Sequence, residues 1–398
     1  MSWQETVEVI NVRDTATAVK LMEQVGVDAR GLEIMAPKAL SYCLKLKGVP
    51  ARAAGILKQE ILARGGEAAM AAGVAGWSVE QTDVLLFATR RQLELLVDKL
   101  PQQYFGLARL AATIKATLAT WEGEGRREIK CPRGGPLTLG QRTLIMGIVN
   151  VTPDSFSDGG RFFDPGAAVE HAHRLVTEGA DIIDVGGEST RPGHEPVPAE
   201  EEWRRLEPVL KRLVAEIRVP ISVDTYKGAT AEKALDAGVD IINDIWGCRA
   251  DAGIATVCGR YQAPLIVMHN QEGTNYQDLM FDILTSLQES IRLATEGGVP
   301  PEQIIIDPGI GFGKDLRQNL EVMGRLRELK VLGKPILLGT SRKSMIGRTL
   351  DLPVDQRLEG TAATVALGIA QGVDIIRVHD VQAMVRVARM TDAIIRQF

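Results

Sequence analysis

LIMGIVNVTPDSFSDGG, residues Leu144–Gly160, decides the reading of the fold. Its first six residues are apolar and suit a strand buried on both faces. From Asn150 onward the stretch turns polar and Gly-rich, as a loop does. The same change recurs at STRPG (Ser189–Gly193), GTSRKS (Gly339–Ser344) and RVHD (Arg377–Asp380). Polar loops at the ends of buried strands are where a (β/α)8 barrel carries its chemistry.

Working outward, eight short apolar segments are expected as strands: Leu144–Val149, Asp181–Val185, Val219–Val223, Val239–Ile242, Pro264–Met268, Gln303–Ile306, Pro335–Leu338 and Val373–Val378. Amphipathic helices are expected between them, for example Pro165–Glu178, Ala199–Ile217 and Ala229–Ala237. A final helix, Val381–Ile395, follows Asp380 as its N-cap. Glycines at 179, 238 and 372 stand where helices should close. A doubly wound open sheet would instead concentrate its signal in one glycine fingerprint after the first strand.

The α/β barrel is assigned to residues 143–398. EGEGRREIKCPRGGPLTLGQR, Glu122–Arg142, reads as a linker and short hairpin, with the hairpin region at 125–142 and the boundary near Glu124. Residues 1–124 are expected to form a small α/β or α+β domain. Its strands are placed at Val7–Val12 and Val84–Phe87, and its helices at Ala16–Val25, Ala51–Arg64, Arg91–Lys99 and Leu107–Trp121. No catalytic grouping is apparent there, since no His precedes His171.

A net charge of -5 with no Lys/Arg-rich run argues against nucleic-acid binding. MSWQETVEVINVRD lacks a basic segment followed by an apolar one, so no signal peptide is expected. No apolar run reaches the ~18 residues of a membrane span. Cys43, Cys131, Cys248 and Cys258 form no CxxC pair and read as thiols in a reducing, cytoplasmic setting.

Strand-end side chains sort into two chemical halves. Asn150, Thr190, Arg191, Ser341, Arg377 and His379 offer donors and two fixed cations, which suit a pyrophosphate. The amide oxygen of Asn150 can join ligand oxygens around Mg²⁺. Asp224, Asn243, Asp307 and Lys343 suit a flat heterocycle with donors and acceptors on one edge, such as a pterin. Three tempting features are set aside. GIGFGK at Gly309–Lys314 lacks the spacing of a phosphate loop and reads as a tight turn. His171 and His173 point apart on a helix. His269 reads as a satisfied rim histidine.

In this order, NVTPDSFSDGG, ESTRPG, SVDT, IND, DPGIGFGK, GTSRKS and RVHD resemble the dihydropteroate synthase family across about residues 130–398. The resemblance implies a barrel that joins 6-hydroxymethyl-7,8-dihydropterin diphosphate to 4-aminobenzoate and releases pyrophosphate with Mg²⁺. It implies pterin contacts from Asp224, Asn243, Asp307 and Lys343, with Met268 lining the pocket. It implies that Asn150, Thr190, Arg191, Arg377 and His379 hold the diphosphate, with Asn150 on the metal. It implies an aminobenzoate site from Phe156, Pro192, Phe312 and Ser341 in flexible loops, and a role for Asp158 at the leaving group. The catalytic set is then Asp224, Lys343, Asp307, Arg377, His379 and Asp158. A cytoplasmic homodimer acting on small molecules is the implied assembly. The first ~120 residues lie outside the family core. Competing expectations are a methyltetrahydrofolate-binding methyltransferase and a silent pterin-barrel scaffold, neither of which needs the complete diphosphate corner.

Overall fold

The chain divides into two compact units, Met1–Gly123 and Glu124–Gln397. The computed structural model describes residues 7–123, 127–151, 165–188 and 196–396.

In the first unit β1 (Ser41–Pro50), β2 (Glu67–Met70) and β3 (Gln81–Thr89) form an antiparallel sheet in the order β1-β3-β2. Alternation on β3 buries Thr82, Val84, Leu86 and Ala88. Val84, Leu86 and Ala88 share a core with Leu57 and Ile61 of the helix Ala51–Leu62 and Leu93 and Leu96 of the helix Arg90–Lys99. Thr89 opens the latter helix with a capping box closed by Gln92. The unit is α+β.

Two sequence expectations are corrected here. Val7–Val12 is not a strand. Val7 and Val9 are 92% and 95% exposed, and a β-branched run without a partner strand has nothing to complete its ladder. Sequence reading also passed over β1, β2 and the helix Ala29–Ala39. In β1 the period-2 signal was present in Tyr42, Leu44 and Leu46, but alternating lysines diluted it.

The second unit opens with an antiparallel hairpin, β4 (Arg127–Ile129) and β5 (Leu137–Leu139). Eight parallel strands follow. They are β6 (Leu144–Asn150), β7 (Ile182–Gly186), β8 (Ile221–Asp224), β9 (Ile241–Asp244), β10 (Leu265–Met268), β11 (Ile304–Asp307), β12 (Leu337–Leu338) and β13 (Ile375–Val378). Neighbours run β11-β10-β9-β8-β7-β6-β13-β12. A parallel bridge between Ile306 and Ile336 closes the ring. Every strand therefore has two neighbours, which excludes the open sheet and gives the (β/α)8 barrel. The helices Pro165–Glu178 and Val381–Ile395 match their expected bounds. Gly238, at φ +97, closes the Gly228–Asp236 helix in a conformation that favours glycine.

The hairpin plugs the N-terminal mouth. Ile129, Cys131, Leu137 and Leu139 pack against Leu144, Met146, Ile182, Ile241, Ile266, Ile305, Leu337 and Ile375, the first inward residues of the strands. Asp240 secures the plug. Its carboxylate accepts from the backbone N–H of Arg133 at 2.8 Å and of Gly134 at 3.0 Å, and pairs with the Arg133 guanidinium at 3.0 Å. Among the described residues no helix is long and apolar enough to cross a membrane.

Candidate active site

Inward-facing positions repeat every second residue along a strand. Two steps beyond the apolar layer at Ile182, Ile241, Ile266, Ile305, Leu337 and Ile375 stand Asp184, Asn243, Met268, Asp307, Gly339 and Arg377. Asp224 ends β8 in the same manner. The alternation that fills the barrel with aliphatic side chains thus turns, at its C-terminal end, into a polar layer.

Arg377 is the hub of that layer. Its Nε donates to Asp184 Oδ2 at 2.6 Å and its Nη2 donates to Asp224 Oδ2 at 2.8 Å. Asn243 Nδ2 donates to the same Asp184 oxygen at 3.3 Å. The other oxygens, Asp184 Oδ1 and Asp224 Oδ1, and Ser222 Oγ are buried without a partner. Buried acceptors without donors are costly, so a ligand or water with N–H or O–H groups is favoured beside them. Burial pushes Asp224 up, to about 7; Arg377 pulls against this and Asp184 adds to it. The sequence reading placed Arg377 in the anion half; here it bridges to the carboxylates of the heterocycle half.

Asp307 closes β11 with its Oδ1 accepting from the Gly309 N–H at 2.7 Å. Burial raises its pKa, while Lys343 opposes the rise. Lys343 Nζ donates to the Ile310 carbonyl and lies 4.6 Å from the centre of the Phe312 ring. Burial lowers Lys343 to about 8, with Asp307 resisting. Gly309 has φ +67, and a Cβ there would lie 1.9 Å from the His269 carbonyl oxygen, so only glycine fits.

The turn carrying Gly309 is stitched down by Lys314. Its Nζ donates to the Gly309 and Phe312 carbonyls at 3.0 and 3.1 Å and pairs with His269 Nδ1 at 2.9 Å. Burial drives His269 down to about 2, and Lys314 adds to the drop. A neutral His269 accepting from Lys314 is a rim contact, as the sequence suggested, and Lys314 is not a phosphate-loop lysine.

At the end of β13, the His379 N–H donates to Ser341 Oγ at 3.2 Å, and Ser341 Oγ lies 2.9 Å from His379 Nδ1. Asp380 precedes the final helix but makes no side-chain cap, contrary to expectation. Its carboxylate instead takes Arg342 Nε and Nη2 at 2.9 and 2.5 Å. Two charge-assisted bonds to a guanidinium outcompete one neutral cap. They also anchor the GTSRKS turn, where Arg342 holds φ +56.

Behind the ends of β7 and β8, Lys227 bridges Glu188 and Glu202, the latter at 3.1 Å. Asn150 ends β6, half-buried. Among the described residues no three His, Cys, Asp or Glu side chains group as a metal cage. Phe156, Asp158, Thr190, Arg191 and Pro192 lie outside the described residues. The sequence reading places Asp184 at the barrel mouth without a role and does not single out Ser222; counting in twos from Ile182 and from Asp224 reaches both.

The model of the family described as "Pterin binding enzyme" matches residues 146–379, more than half of the chain. The chain belongs to the pterin-binding enzyme family. A dihydropteroate synthase from Clostridium beijerinckii is 54% identical over 260 residues, covering 65% of this chain and 97% of the relative. A crystal structure of dihydropteroate synthase from Clostridium difficile, determined in the presence of pteroic acid, superposes with a TM-score of 0.64. It has 57% identity and covers 65% of this chain and 99% of its own. A probable bifunctional folylpolyglutamate synthase/dihydropteroate synthase from Halobacterium salinarum is 37% identical over 398 residues. That match covers 98% of this chain and 47% of the relative. Within the pterin-binding family, the likeness is therefore to its dihydropteroate synthases.

Proposed function

We propose that this chain is a dihydropteroate synthase, joining 6-hydroxymethyl-7,8-dihydropterin diphosphate to 4-aminobenzoate with release of pyrophosphate. The observation that carries the reading is the convergence of Asp184, Asp224, Asn243, Asp307, Lys343 and Arg377 on one barrel mouth, with buried carboxylate oxygens awaiting donors.

In this reading Asp224 Oδ1 accepts N–H groups of the pterin. Asn243, Asp307 and Lys343 align its remaining polar edge, and Met268 covers a face. The C–O bond to diphosphate breaks first, leaving positive charge on the exocyclic methylene and pterin ring. Asp224 and Asp307 stabilise that charge, and Arg377 and His379 stabilise the departing diphosphate. The arylamine then attacks the methylene carbon and sheds a proton. Thr190, Arg191 and Asp158 are assigned to the diphosphate side, and Phe156, Pro192, Phe312 and Ser341 to the arylamine.

Arg377 links the two halves. In the free chain it neutralises Asp184 and Asp224. A bound diphosphate competes for the guanidinium, and the positive charge that develops on the pterin takes its place as the counter-charge to these carboxylates. Leaving-group binding and cation stabilisation are thereby coupled.

Mg²⁺ fits this site through its ligand rather than through a protein cage. The Asn150 amide oxygen would supply one hard donor to Mg²⁺, with the diphosphate as its main partner. When bound, Mg²⁺ neutralises charge on the diphosphate oxygens. We also assign the protein to the cytoplasm as a homodimer. The test is pyrophosphate release from the purified chain with each substrate and Mg²⁺ omitted in turn, and with sedimentation of the same sample. Release that requires all three supports the reading. Binding of methyltetrahydrofolate without any pyrophosphate release refutes it.

A further inference from the structure

Two buried titratable side chains at the barrel mouth, Lys314 and His269, take no part in the proposed chemistry. Burying an ammonium is costly unless its N–H groups are met. Lys314 Nζ has three partners: the Gly309 and Phe312 carbonyls at 3.0 and 3.1 Å, and His269 Nδ1 at 2.9 Å. Three N–H groups thus meet three acceptors. His269 directly follows β10, so the contact ties the turn after β11 to the end of the neighbouring strand.

The rest of that turn is gripped in the same way. Lys343 Nζ donates to the Ile310 carbonyl. Tyr276 Oη donates to the Gly313 carbonyl at 2.7 Å. Asn319 Nδ2 donates to the Lys314 carbonyl at 3.1 Å, and Asn319 Oδ1 accepts from the Gly311 N–H at 2.6 Å. The carbonyls of Gly309, Ile310, Phe312, Gly313 and Lys314 therefore each accept from a side chain. An ordinary surface loop leaves such groups to water and keeps its freedom; this one is held in a single shape. What it presents to the site is the Ile310 carbonyl and the Phe312 ring, which lies 4.6 Å from Lys343 Nζ. Both favour the charged form of Lys343. Lys314 grips the carbonyls on either side of this pair of contacts.

We propose that Lys314 and His269 are positioning residues, which clamp the turn after β11 to the end of β10 and so fix the Phe312 ring and the Ile310 carbonyl against Lys343. The proposal deepens the synthase reading and rests on it for the identity of the substrates. In that reading Phe312 serves the arylamine, whereas Asp307 serves the pterin and is anchored by its own strand. The clamp therefore acts on arylamine binding more than on pterin binding. Its chemistry also survives a change of protonation. Burial pulls Lys314 down to about 7, with Asp307 resisting and Lys343 adding to the fall. Arg249 is the further cation that acts on His269. As an amine, Lys314 still gives two N–H groups to the carbonyls, and its lone pair accepts from the other tautomer of neutral His269.

The experiment uses three variants of the full-length chain. Lys314→Met removes the donors at similar length. His269→Leu removes only their third partner. His269→Asn restores a partner, because the Asn side-chain amide stands about where Nδ1 of His stands. Pyrophosphate release is titrated with each substrate in turn, and hydrogen–deuterium exchange is followed over residues 309–314, with the β4–β5 hairpin as reference. Lys314→Met and His269→Leu are expected to raise KM for 4-aminobenzoate at least ~10-fold, the scale of an unmet buried hydrogen bond to a charge, and to leave KM for the pterin diphosphate within about threefold. Exchange over 309–314 should quicken at least ~10-fold in the same two variants and not in the reference hairpin. His269→Asn should stay near wild type in both measurements. A barrel that is merely destabilised loses active enzyme, which lowers apparent kcat with both KM values unchanged; that pattern overturns the proposal. So does unaltered exchange at the turn, or His269→Asn behaving as His269→Leu does. His269→Leu keeps Lys314 itself and decides the matter if Lys314→Met does not fold. A wild-type chain that releases no pyrophosphate refutes the synthase reading instead. Quickened exchange in His269→Leu but not in His269→Asn then still supports the clamp, and unaltered exchange overturns it.

Discussion

Asp224→Asn tests the charge argument most directly. The substitution keeps shape and one acceptor but removes a buried anion from the pterin side of the site. Arg377 keeps Asp184, which it already contacts at 2.6 Å, so the hub is not orphaned. A unit charge ~5 Å from the developing cation, at an effective dielectric of ~20, is worth roughly 3 kcal/mol. That is a loss of about a hundredfold in rate. The structure adds a pH signature. Asp224 lies at about 7 in the free chain. Its ionised fraction is then roughly a tenth at pH 6 and nine-tenths at pH 8. The wild-type advantage in kcat/KM, which reports groups of the free enzyme, should therefore grow about tenfold over that range. Stability moves the other way. A carboxyl raised from 3.8 to about 7 stabilises the fold below pH 4 and loses that contribution as pH rises through 7. The amide that replaces the carboxyl cannot ionise, so the variant's melting temperature should fall less between pH 5 and 8 than that of the wild type. Pyrophosphate release at saturating arylamine, from pH 6 to 8, is the assay. A variant within threefold of wild type, or a ratio that does not change with pH, would refute the reasoning.

Three further outcomes are expected. Lys343→Ala should lower kcat/KM at least ~100-fold, the scale of one lost electrostatic contact; it should also remove the decline expected of wild type as pH rises through about 8, where Lys343 loses its proton. Asp184→Asn removes a charge that raises Asp224, so the acid limb of the pH–kcat/KM profile should move to lower pH; an unmoved limb counts against the shared-hub geometry. Arg133→Ala strips the guanidinium from fully buried Asp240 and should destabilise the barrel by ~3 kcal/mol in denaturant melts, with kcat unchanged because the plug lies at the opposite mouth.

How much of this was legible in the sequence differs between the two units, and the reason is physical. In the barrel, each strand is buried on both faces, so its apolar run is continuous and stands out from the amphipathic helices around it. Eight strands and the helices Pro165–Glu178 and Val381–Ile395 were read closely for that reason. The first unit offers no such contrast. Its sheet is half-exposed, β1 alternates lysines with apolar residues, and Val7–Val12 had the composition of a strand without a neighbour to pair with. Within the site, residues after strand ends were legible because loops announce themselves by composition. The place of Asp184 at the mouth was legible but its role was not, because a lone acid inside an apolar strand names no partner. Its meaning comes from Arg377, 193 residues away, and only barrel closure brings the two together. The same separation explains Asp380. In sequence it is an N-cap one residue before a helix; in the fold Arg342 reaches it first. Local signals rank local partners, whereas the barrel mouth collects side chains from every strand, so electrostatic pairings there are decided by the closed ring.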